Sequence, residues 1–433
     1  MLLIYTPQTT NRINYTFDLF FRVVLKTSYR VTTDVSEFLI YKDAKFSYSK
    51  EPLADELFFK QSDLLLETTI LPQQIICEEA TIGNFNLKGF FKTENAAFSF
   101  DVFASAFYLV SRYEEYLSKE TDMHGRFKAT DSKAFCFDFL QEPMIDYYAL
   151  AVRELLLSKF SDEKIETKGF EKTSTFDIDL AYQYLHKSWR ITLGGFARDL
   201  LKGDVNGVKK RARVLLELQP DPFYSFEFIE KQNERYEIPY IFFWQIGNRE
   251  GKYDKNISHT VPEFQKLIKK FADKSGIHLS YSSHAKEDGY KKEIARLSDI
   301  ISKEVKRNRF HYLKMKVGES YRKLMDAGIT EDYTMGYPYH EGFRASIARP
   351  FYWYDLEKEE RTNLLVVPFM FMDSPMRHKH FPADEVKMRI QKMILRTKEV
   401  GGTLVSLWHN DTFSETNPNW KEIFEWFNKA VND

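Results

Sequence analysis

Short patterns of strand and helix type follow one another through the first 160 residues. Apolar runs and alternation of apolar with polar residues predict strands at 2–5, 37–41, 46–48 and 64–70. Apolar residues spaced three and four apart predict helices at 12–26, from Asp101 onward and at 146–160. The side chain of Asp101 is suited to capping the helix that follows it. This part of the chain is therefore expected to form an α/β domain.

A polar stretch at 161–169 separates these patterns from the rest of the chain. It lacks a hydrophobic period and has the composition of a linker. At 433 residues, the chain also exceeds the length at which one hydrophobic core keeps growing. We therefore predict two domains, residues 1–165 and 166–433. The role of the first domain stays open. The simplest role is packing against the second domain or against a partner.

The second part alternates strands with helices. Strands are predicted at 174–178, 239–244, 276–280, 309–315, 364–370 and 403–408. Helices are predicted at 224–235, 261–271, 291–303, 383–399 and 420–431, with shorter units at 321–327 and 332–335. This alternation favours parallel strands, and seven or so such units suit a (β/α) barrel better than an open sheet. The expected fold class is α/β, a barrel preceded by a smaller N-terminal α/β domain.

Composition and charge exclude several classes of function. Lys and Arg (62) nearly balance Asp and Glu (63), so a nucleic-acid partner is not expected, and the basic run at 209–213 indicates a solvated helix face. Cys77 and Cys136 are too few for a disulfide framework or a Cys-based zinc site. No apolar run approaches the roughly 18 residues of a membrane span, and the first residues lack the basic segment of a signal peptide. We expect a cytoplasmic protein without a membrane span, and a homo-oligomer stays open.

Two carboxylates end the first strand of the second part. Residues i and i+2 of an extended segment point to the same side, so Asp177 and Asp179 can face one site. One carboxylate can hold a metal while the other takes a proton from water. The alternative is that Asp179 caps the next helix and Asp177 belongs to a turn.

Later strands place further candidates at the same end of a barrel, where functional groups gather. His278 lies on the third strand, and imidazole with carboxylate suits zinc or a similar divalent ion. Arg309 and His311 share one face of the fourth strand, where Arg309 can keep a carboxylate ionised. His409 follows the last strand and can protonate a leaving amine. Each of them could instead be a structural residue with a satisfied side chain.

A segment rich in aromatic and guanidinium groups lies between these strands. It contains Asp332, Tyr333 and Arg344 and continues to 349–353, and Trp408 stands beside His409. Such side chains stack on sugar faces and hydrogen-bond hydroxyl or acidic groups. The pattern predicts a carbohydrate-binding surface, unless these aromatics simply form core.

Taken in order, these motifs resemble those of the polysaccharide deacetylase family, metal-dependent carbohydrate esterases built on a distorted barrel. Thr-Phe-Asp-Ile-Asp at 175–179 resembles the first family motif. His278 matches the first His of the second motif, whereas Ser282 stands where its second His would be. Arg309 matches the third motif, with His311 in place of its Pro.

The order and spacing of the family motifs hold over roughly residues 170–410. Leu-Trp-His at 407–409 matches the fifth motif, and Asp332 meets the fourth loosely. The segment 100–116 and Gly-Phe-Arg at 342–344 are similar to a two-domain bacterial subgroup of the family.

The resemblance implies a role for each of the candidates. Asp177 would be the base, with Arg309 maintaining its charge, and His409 the acid. Asp179 and His278 would be metal ligands, and we expect His311 to supply the third ligand of a divalent ion, with zinc the expected metal. The implied reaction removes an N-acetyl group from an amino sugar in a glycan or glycan precursor.

Two further interpretations stay open. A non-catalytic glycan-binding or assembly protein with a degenerate metal site is favoured by Ser282. The hydrolase is favoured because Asp177, Asp179, Arg309 and His409 are all present. Hydrolysis of a different C–N bond in a small metabolite is the third interpretation.

Overall fold

The first part of the chain builds a small parallel sheet with helices. A computed structural model describes residues 1–161 and 165–433. The strands of the first part are β1 (Leu2–Tyr5), β2 (Tyr29–Thr32), β3 (Lys45–Ser49), β4 (Leu57–Lys60), β5 (Glu78–Ile82) and β6 (Phe85–Gly89). Its α-helices are α1 (Asn11–Phe17), α2 (Val35–Ile40), α3 (Val102–Val110), α4 (Tyr113–Leu117), α5 (Lys133–Cys136) and α6 (Met144–Lys159). The parallel sheet has the order β2, β1, β3, β4, and β5 pairs with β6 as an antiparallel hairpin.

In the first part of the chain, helix caps explain which of the predicted elements form. The Asp101 side chain accepts hydrogen bonds from the backbone N–H groups of Phe103 and Ala104, so the predicted cap of α3 is confirmed. The strand predicted at 37–41 is wrong, because Asp34 caps α2 in the same way. The strand predicted at 64–70 is also wrong, since the chain turns there.

The second part has nine strands and nine α-helices among its described residues. The strands are β7 (Glu171–Ile178), β8 (Tyr240–Trp244), β9 (Ser275–Leu279), β10 (Arg307–Phe310), β11 (Glu331–Asp332), β12 (Phe351–Asp355), β13 (Glu360–Val366), β14 (Phe371–Met372) and β15 (Thr403–His409). The α-helices are α7 (Trp189–Leu201), α8 (Val205–Leu215), α9 (Phe226–Arg235), α10 (Pro262–Lys270), α11 (Gly289–Ile301), α12 (Glu319–Asp326), α13 (Asp373–His378), α14 (Ala383–Glu399) and α15 (Trp420–Ala430). Across residues 1–161 and 165–433, no helix combines the length and apolar character that crossing a bilayer requires.

The nine strands form one sheet in the order β12, β13, β11, β10, β9, β8, β7, β15, β14. Every neighbouring pair is parallel except β12 with β13, which confirms the α/β class. The parallel run brings the carboxyl ends of β7, β9, β10 and β15 to one edge. Within the described residues, no pairing joins the outer strands β12 and β14.

Two predictions for this sheet need correction. The fourth predicted strand, 309–315, ends early at Phe310, because Tyr312 and Leu313 have φ angles of 59° and 51°. Left-handed backbone cannot continue a strand, so His311 lies just past the end of β10. The predicted carbohydrate-binding segment at 349–353 enters β12, whose antiparallel pairing with β13 places it at the sheet edge.

Both parts of the chain contribute to one hydrophobic core. The larger buried cluster includes Phe107 of α3 and Tyr354 of β12, whose rings lie 5.1 Å apart. Buried ion pairs also cross between the parts, Glu115 with Arg344 and Asp146 with Arg349. The first part is therefore packed against the sheet that carries the candidate residues.

Candidate active site

A cavity of about 330 Å³ opens where the carboxyl ends of the parallel strands meet. Five of the residues singled out from the sequence line it, namely Asp177, Asp179, His278, His311 and His409. They come from four strand ends, β7, β9, β10 and β15, that the parallel sheet brings to the same edge. The structure therefore gathers side chains that are up to 232 positions apart in the sequence.

Asp177 is a buried carboxylate held by Arg309. Arg309 Nη1 donates a hydrogen bond of 2.9 Å to Asp177 Oδ1, and both side chains are buried. Arg309 Nε donates to the Tyr333 carbonyl at 2.9 Å, which fixes the guanidinium. Its guanidinium carbon lies 4.6 Å from the centre of the Phe243 ring, so the charge is kept in a largely apolar setting. One carboxylate oxygen of Asp177 is thus paired with Arg309, and Asp177 itself lines the cavity.

Asp179 faces two imidazole rings. His278 Nε2 lies 3.2 Å and His311 Nε2 lies 3.6 Å from Asp179 Oδ1. One ligand atom from each of the three residues lies within 4.8 Å of the others. Burial alone would raise the pKa of Asp179, but the charge of His311 and the hydrogen bonds of both imidazoles hold it well below its usual range. Burial likewise opposes the charge of His311, yet Asp179 and Asp254 raise its pKa to about 9.

The other nitrogen of each imidazole is already engaged. His278 Nδ1 lies 2.9 Å from the Arg309 carbonyl, which can only accept, so Nδ1 carries a proton and Nε2 is the nitrogen that faces Asp179. His311 Nδ1 lies 3.2 Å from the Asp254 carboxylate. Metal-binding histidines are usually oriented by such a contact at the second nitrogen.

A cation fits the space between these three groups. Asp179 Oδ1 is a buried oxygen whose polar neighbours are the Nε2 atoms of His278 and His311. A divalent ion in this position would replace the protons that the imidazoles present to Asp179, and both Nε2 atoms would then offer lone pairs to the metal. Two histidines and one carboxylate also form a donor set of the kind that catalytic zinc sites use. The donor chemistry therefore fits a divalent metal.

His409 forms an ion pair with Asp373. Its Nδ1 lies 2.7 Å from Asp373 Oδ1, and its backbone N–H donates to Oδ2 at 2.8 Å. Burial would lower the pKa of His409, but Asp373, and to a lesser extent Asp179 and Asp177, raise it to about 10. His409 pairs in register with Asp177 across β15 and β7, so the imidazole and the carboxylate lie at the same level of the sheet.

The four predicted substrate-binding residues do not line this cavity. Asp332 is buried and accepts hydrogen bonds from Asn308 and Thr334. Arg344 is buried in its ion pair with Glu115. These two side chains hold the sheet and the first part of the chain in place.

Tyr333 and Trp408 also have structural contacts. The Tyr333 hydroxyl donates to Glu331 at 2.9 Å, and its ring lies 5.2 Å from that of Phe243. The Trp408 indole N–H donates to Ser406 at 2.8 Å, and its ring packs on Phe424. The wall of the cavity is formed by other aromatic residues.

Tyr312 and Tyr339 line the cavity and are exposed, and Phe223 lines it as well. Arg126, from the first part of the chain, lies beside them: its Nη1 donates to the Tyr312 carbonyl at 2.6 Å, and its guanidinium lies over the Tyr339 ring. Asp122 holds Arg126 through a 2.7 Å bond from Nε. Arg126 therefore brings the first part of the chain into the lining of the cavity.

Three residues of the site were missed by sequence analysis. Asp373 follows a strand, so its position at a strand end was the available signal. Asp254 and Arg126 come from irregular segments without periodicity, and no motif marks them. His284, close to His278 in sequence, contacts Tyr290 instead and lies outside the cavity lining.

Comparison with known families gives one match. A model described as a family of unknown function (DUF7033) matches residues 2–161, which is the part that supplies Arg126. No curated protein matches the chain.

Two solved structures match part of the chain at low similarity. One, described as a putative polysaccharide deacetylase from Mycobacterium smegmatis, is 14% identical with a TM-score of 0.39, and the match covers 61% of this chain and 84% of that one. The other, a polysaccharide deacetylase from Bacillus cereus, is 14% identical with a TM-score of 0.30, covering 60% of this chain and 87% of its own. Similarity at this level does not indicate the function, which has to be inferred from the site.

Proposed function

We propose that this protein is a metal-dependent hydrolase that removes an N-acyl group from an amino sugar in a glycan or glycan precursor. The observation that carries the proposal is the convergence of His278 Nε2 and His311 Nε2 on one oxygen of Asp179. The buried carboxylate of Asp177 and the charged imidazole of His409 lie on adjacent strands beside it. Amide hydrolysis needs this combination of a base, an acid and a group that stabilises negative charge.

The metal would be held by Asp179, His278 and His311, and zinc is the expected ion. It would supply Lewis-acid chemistry, which polarises a carbonyl group and makes water more acidic. In the resemblance drawn from the sequence, the second motif ends in a His where this chain has Ser282. We propose that His311 takes that role, because Asp254 fixes its ring and Ser282 donates its backbone N–H to Asp254.

Asp177 is the proposed general base. Its oxygen Oδ1 is occupied by Arg309, so Oδ2 is left to accept a proton from the attacking water. Arg309 stabilises the negative charge of Asp177 and fixes the plane of its carboxylate. A general base contributes about 10²- to 10⁴-fold to the rate.

His409 is the proposed general acid. Asp373 engages Nδ1 and raises the pKa of the ring, so Nε2 carries a proton at neutral pH. When the C–N bond breaks, this proton passes to the departing amine nitrogen, and Asp373 stabilises the ring while it is charged. The water proton taken by Asp177 and the proton given by His409 together complete the hydrolysis.

We propose a sugar as the substrate because exposed aromatic rings line the cavity. Tyr312 and Tyr339 present exposed rings at the cavity, and aromatic rings stack on the apolar faces of sugars. Arg377 and Asp411, which form an ion pair at 3.1 Å, also line the cavity and would supply polar groups for hydroxyl recognition. The wall formed by these four residues replaces the one expected from Asp332, Tyr333, Arg344 and Trp408.

We also propose that the nine-stranded sheet curls into the distorted barrel that the sequence pattern favours. Strands β10 and β7 are separated by β9 and β8, so they would be about 14 Å apart in a flat sheet. Arg309 of β10 nevertheless hydrogen-bonds Asp177 of β7. Curvature that turns these side chains toward one another accounts for this contact.

The test measures zinc binding and acetate release separately. Acetate release from N-acetylglucosamine oligomers should depend on added zinc. Asp177→Asn should retain zinc affinity and lose at least about a hundredfold in kcat, because the base is removed. Asp179→Asn should lose both zinc binding and activity. Asp273→Asn, which alters an exposed carboxylate paired with Lys303, is the matched control and should change neither.

Two results would contradict the proposal. Unchanged zinc affinity in the Asp179→Asn variant would remove the metal assignment. Binding of the oligomers without release of acetate from any N-acylated sugar would favour the alternative of a non-catalytic glycan-binding protein.

A further inference from the structure

A helical hairpin stands at the rim of the cavity and takes no part in the proposed chemistry. The chain leaves the sheet after β7, forms α7 and α8, and returns at α9. Leu180 and Phe223, at the two ends of this excursion, both line the cavity. The hairpin is held together by a buried ion pair between Asp199 of α7 and Arg211 of α8, at 2.7 Å. Arg211 is thus buried, although the sequence pattern placed it on a solvated helix face.

The outer face of α7 is apolar and exposed. Trp189, Leu193 and Leu200 recur at intervals of four and seven residues, which places them on one side of the helix, and Leu201 extends the stripe to the tip. Trp189 is 67% exposed and Leu201 is 89% exposed. Large apolar side chains that share an exposed face mark an interaction site more often than scattered ones do.

Positive charge surrounds this apolar stripe. Residues 187–218 contain eight Lys or Arg residues and three acidic residues, in a chain whose overall net charge is −1. Of the acidic residues, Asp199 is neutralised inside the hairpin. Arg190, Lys202, Lys209 and Arg213 are exposed. The hairpin therefore combines an apolar face with a concentration of basic groups.

We propose that the α7–α8 hairpin docks on an anionic lipid surface. A helix with an apolar face flanked by Lys and Arg lies in the interface plane of a bilayer, where its apolar side chains enter the acyl boundary and its basic groups meet lipid phosphates. A second copy of the hairpin is a poorer occupant, because it would bring the same positive charges together. Docking requires no membrane-spanning helix, and it holds the cavity rim next to the lipid headgroups.

The test is sedimentation of the full-length protein with vesicles. One set contains equal parts of phosphatidylcholine and phosphatidylglycerol, and the other contains phosphatidylcholine alone. We expect binding to the mixed vesicles and much weaker binding to the neutral ones. The double variant Leu200→Ser/Leu201→Ser should bind the mixed vesicles at least about tenfold more weakly, because it removes two side chains that enter the apolar boundary. Lys209→Ser/Arg213→Ser should weaken binding and reduce its dependence on salt.

The matched control is Met388→Ser/Leu395→Ser on α14. These side chains are 65% and 55% exposed, and α14 carries acidic as well as basic residues. This variant should bind the mixed vesicles like the unmodified protein, and equal thermal melts should show that all variants fold. Equal vesicle binding by the Leu200→Ser/Leu201→Ser variant would overturn the proposal. The proposal would also be overturned if the unmodified protein bound no vesicles but self-associated, and if the Leu200→Ser/Leu201→Ser variant abolished that self-association.

Discussion

At the residue scale, the three histidines of the cavity share one arrangement. His278, His311 and His409 each have Nδ1 engaged, by the Arg309 carbonyl, by Asp254 and by Asp373 respectively. In each ring Nε2 is then the nitrogen left for the cavity. The partners differ: the partner of His278 is an uncharged carbonyl, whereas the Asp373 carboxylate helps raise the pKa of His409 to about 10. The same side chain can therefore serve as a ligand at one position and as an acid at another.

Asp373→Asn should move the alkaline limit of activity to lower pH. His409 must be protonated to act as an acid, so kcat/KM should fall as pH rises through its pKa, which Asp373 helps raise to about 10. Without the Asp373 charge, burial lowers that pKa, and the fall should begin nearer neutrality. The measurement is the pH profile of kcat/KM for both proteins.

The same ion pair should contribute to stability with a definite sign. A raised His pKa stabilises the fold fully below about pH 6.5 and loses that contribution as pH rises through about 10. Thermal melts of the unmodified protein and the Asp373→Asn variant should therefore differ most below pH 6.5, where Asp373 remains ionised, and converge in alkali.

For the activity prediction, an alkaline limit of kcat/KM at the same pH in both proteins would show that Asp373 does not set the protonation state of His409.

At the element scale, capping groups and left-handed residues determine where helices and strands end. Asp101 and Asp34 begin α3 and α2, and consecutive positive φ angles at Tyr312 and Leu313 end β10. The early end of β10 matters for the site, because it turns His311 toward Asp179 instead of leaving it in a strand. The Arg126 hydrogen bond to the Tyr312 carbonyl supports this turn.

The two helix caps should differ in their contribution to stability. Asp101 is buried and accepts four hydrogen bonds, from Tyr48, Ser62, Phe103 and Ala104. Asp101→Ala would leave these donors unsatisfied and should cost at least about 3 kcal/mol of unfolding free energy. Asp34 caps α2 at an exposed position, so Asp34→Ala should cost only about 1 kcal/mol. Urea denaturation measures both, and equal losses would show that the buried network around Asp101 contributes little.

At the scale of the whole molecule, we propose that the chain divides near residue 165 into two parts that depend on each other. The ion pairs of Glu115 with Arg344 and of Asp146 with Arg349 are buried, so separating the parts would leave unpaired charges. Arg126 also joins the first part to the cavity wall. The first part of the chain is therefore expected to complete the site.

The full chain should unfold in one cooperative transition. A fragment of residues 166–433 should fail to reach a native fold, because it would expose the apolar surface and the two arginines that the first part buries. Circular dichroism melts of both proteins provide the measurement. Two separate transitions, or a folded fragment that retains zinc binding, would show instead that the parts are independent.

Much of the fold follows from local sequence. Hydrophobic periods located most of the strands and helices of the second part, and α14 spans the predicted residues 383–399. Capping and periodicity act over a few residues, so one sequence contains that information. The strands at 37–41 and 64–70 were wrong because short apolar alternation does not distinguish a strand from a capped helix or a turn.

The sequence by itself determined the alternating elements and placed Asp177, Asp179, His278, Arg309, His311 and His409 at or just past strand ends. Only the tertiary structure decided which of these side chains meet, and it added Asp254, Asp373 and Arg126, which lie far from their partners along the chain. It also buried Asp332, Tyr333, Arg344 and Trp408 in structural contacts. Local periodicity sets which elements form, whereas contacts between distant residues depend on how the sheet brings its strand ends together.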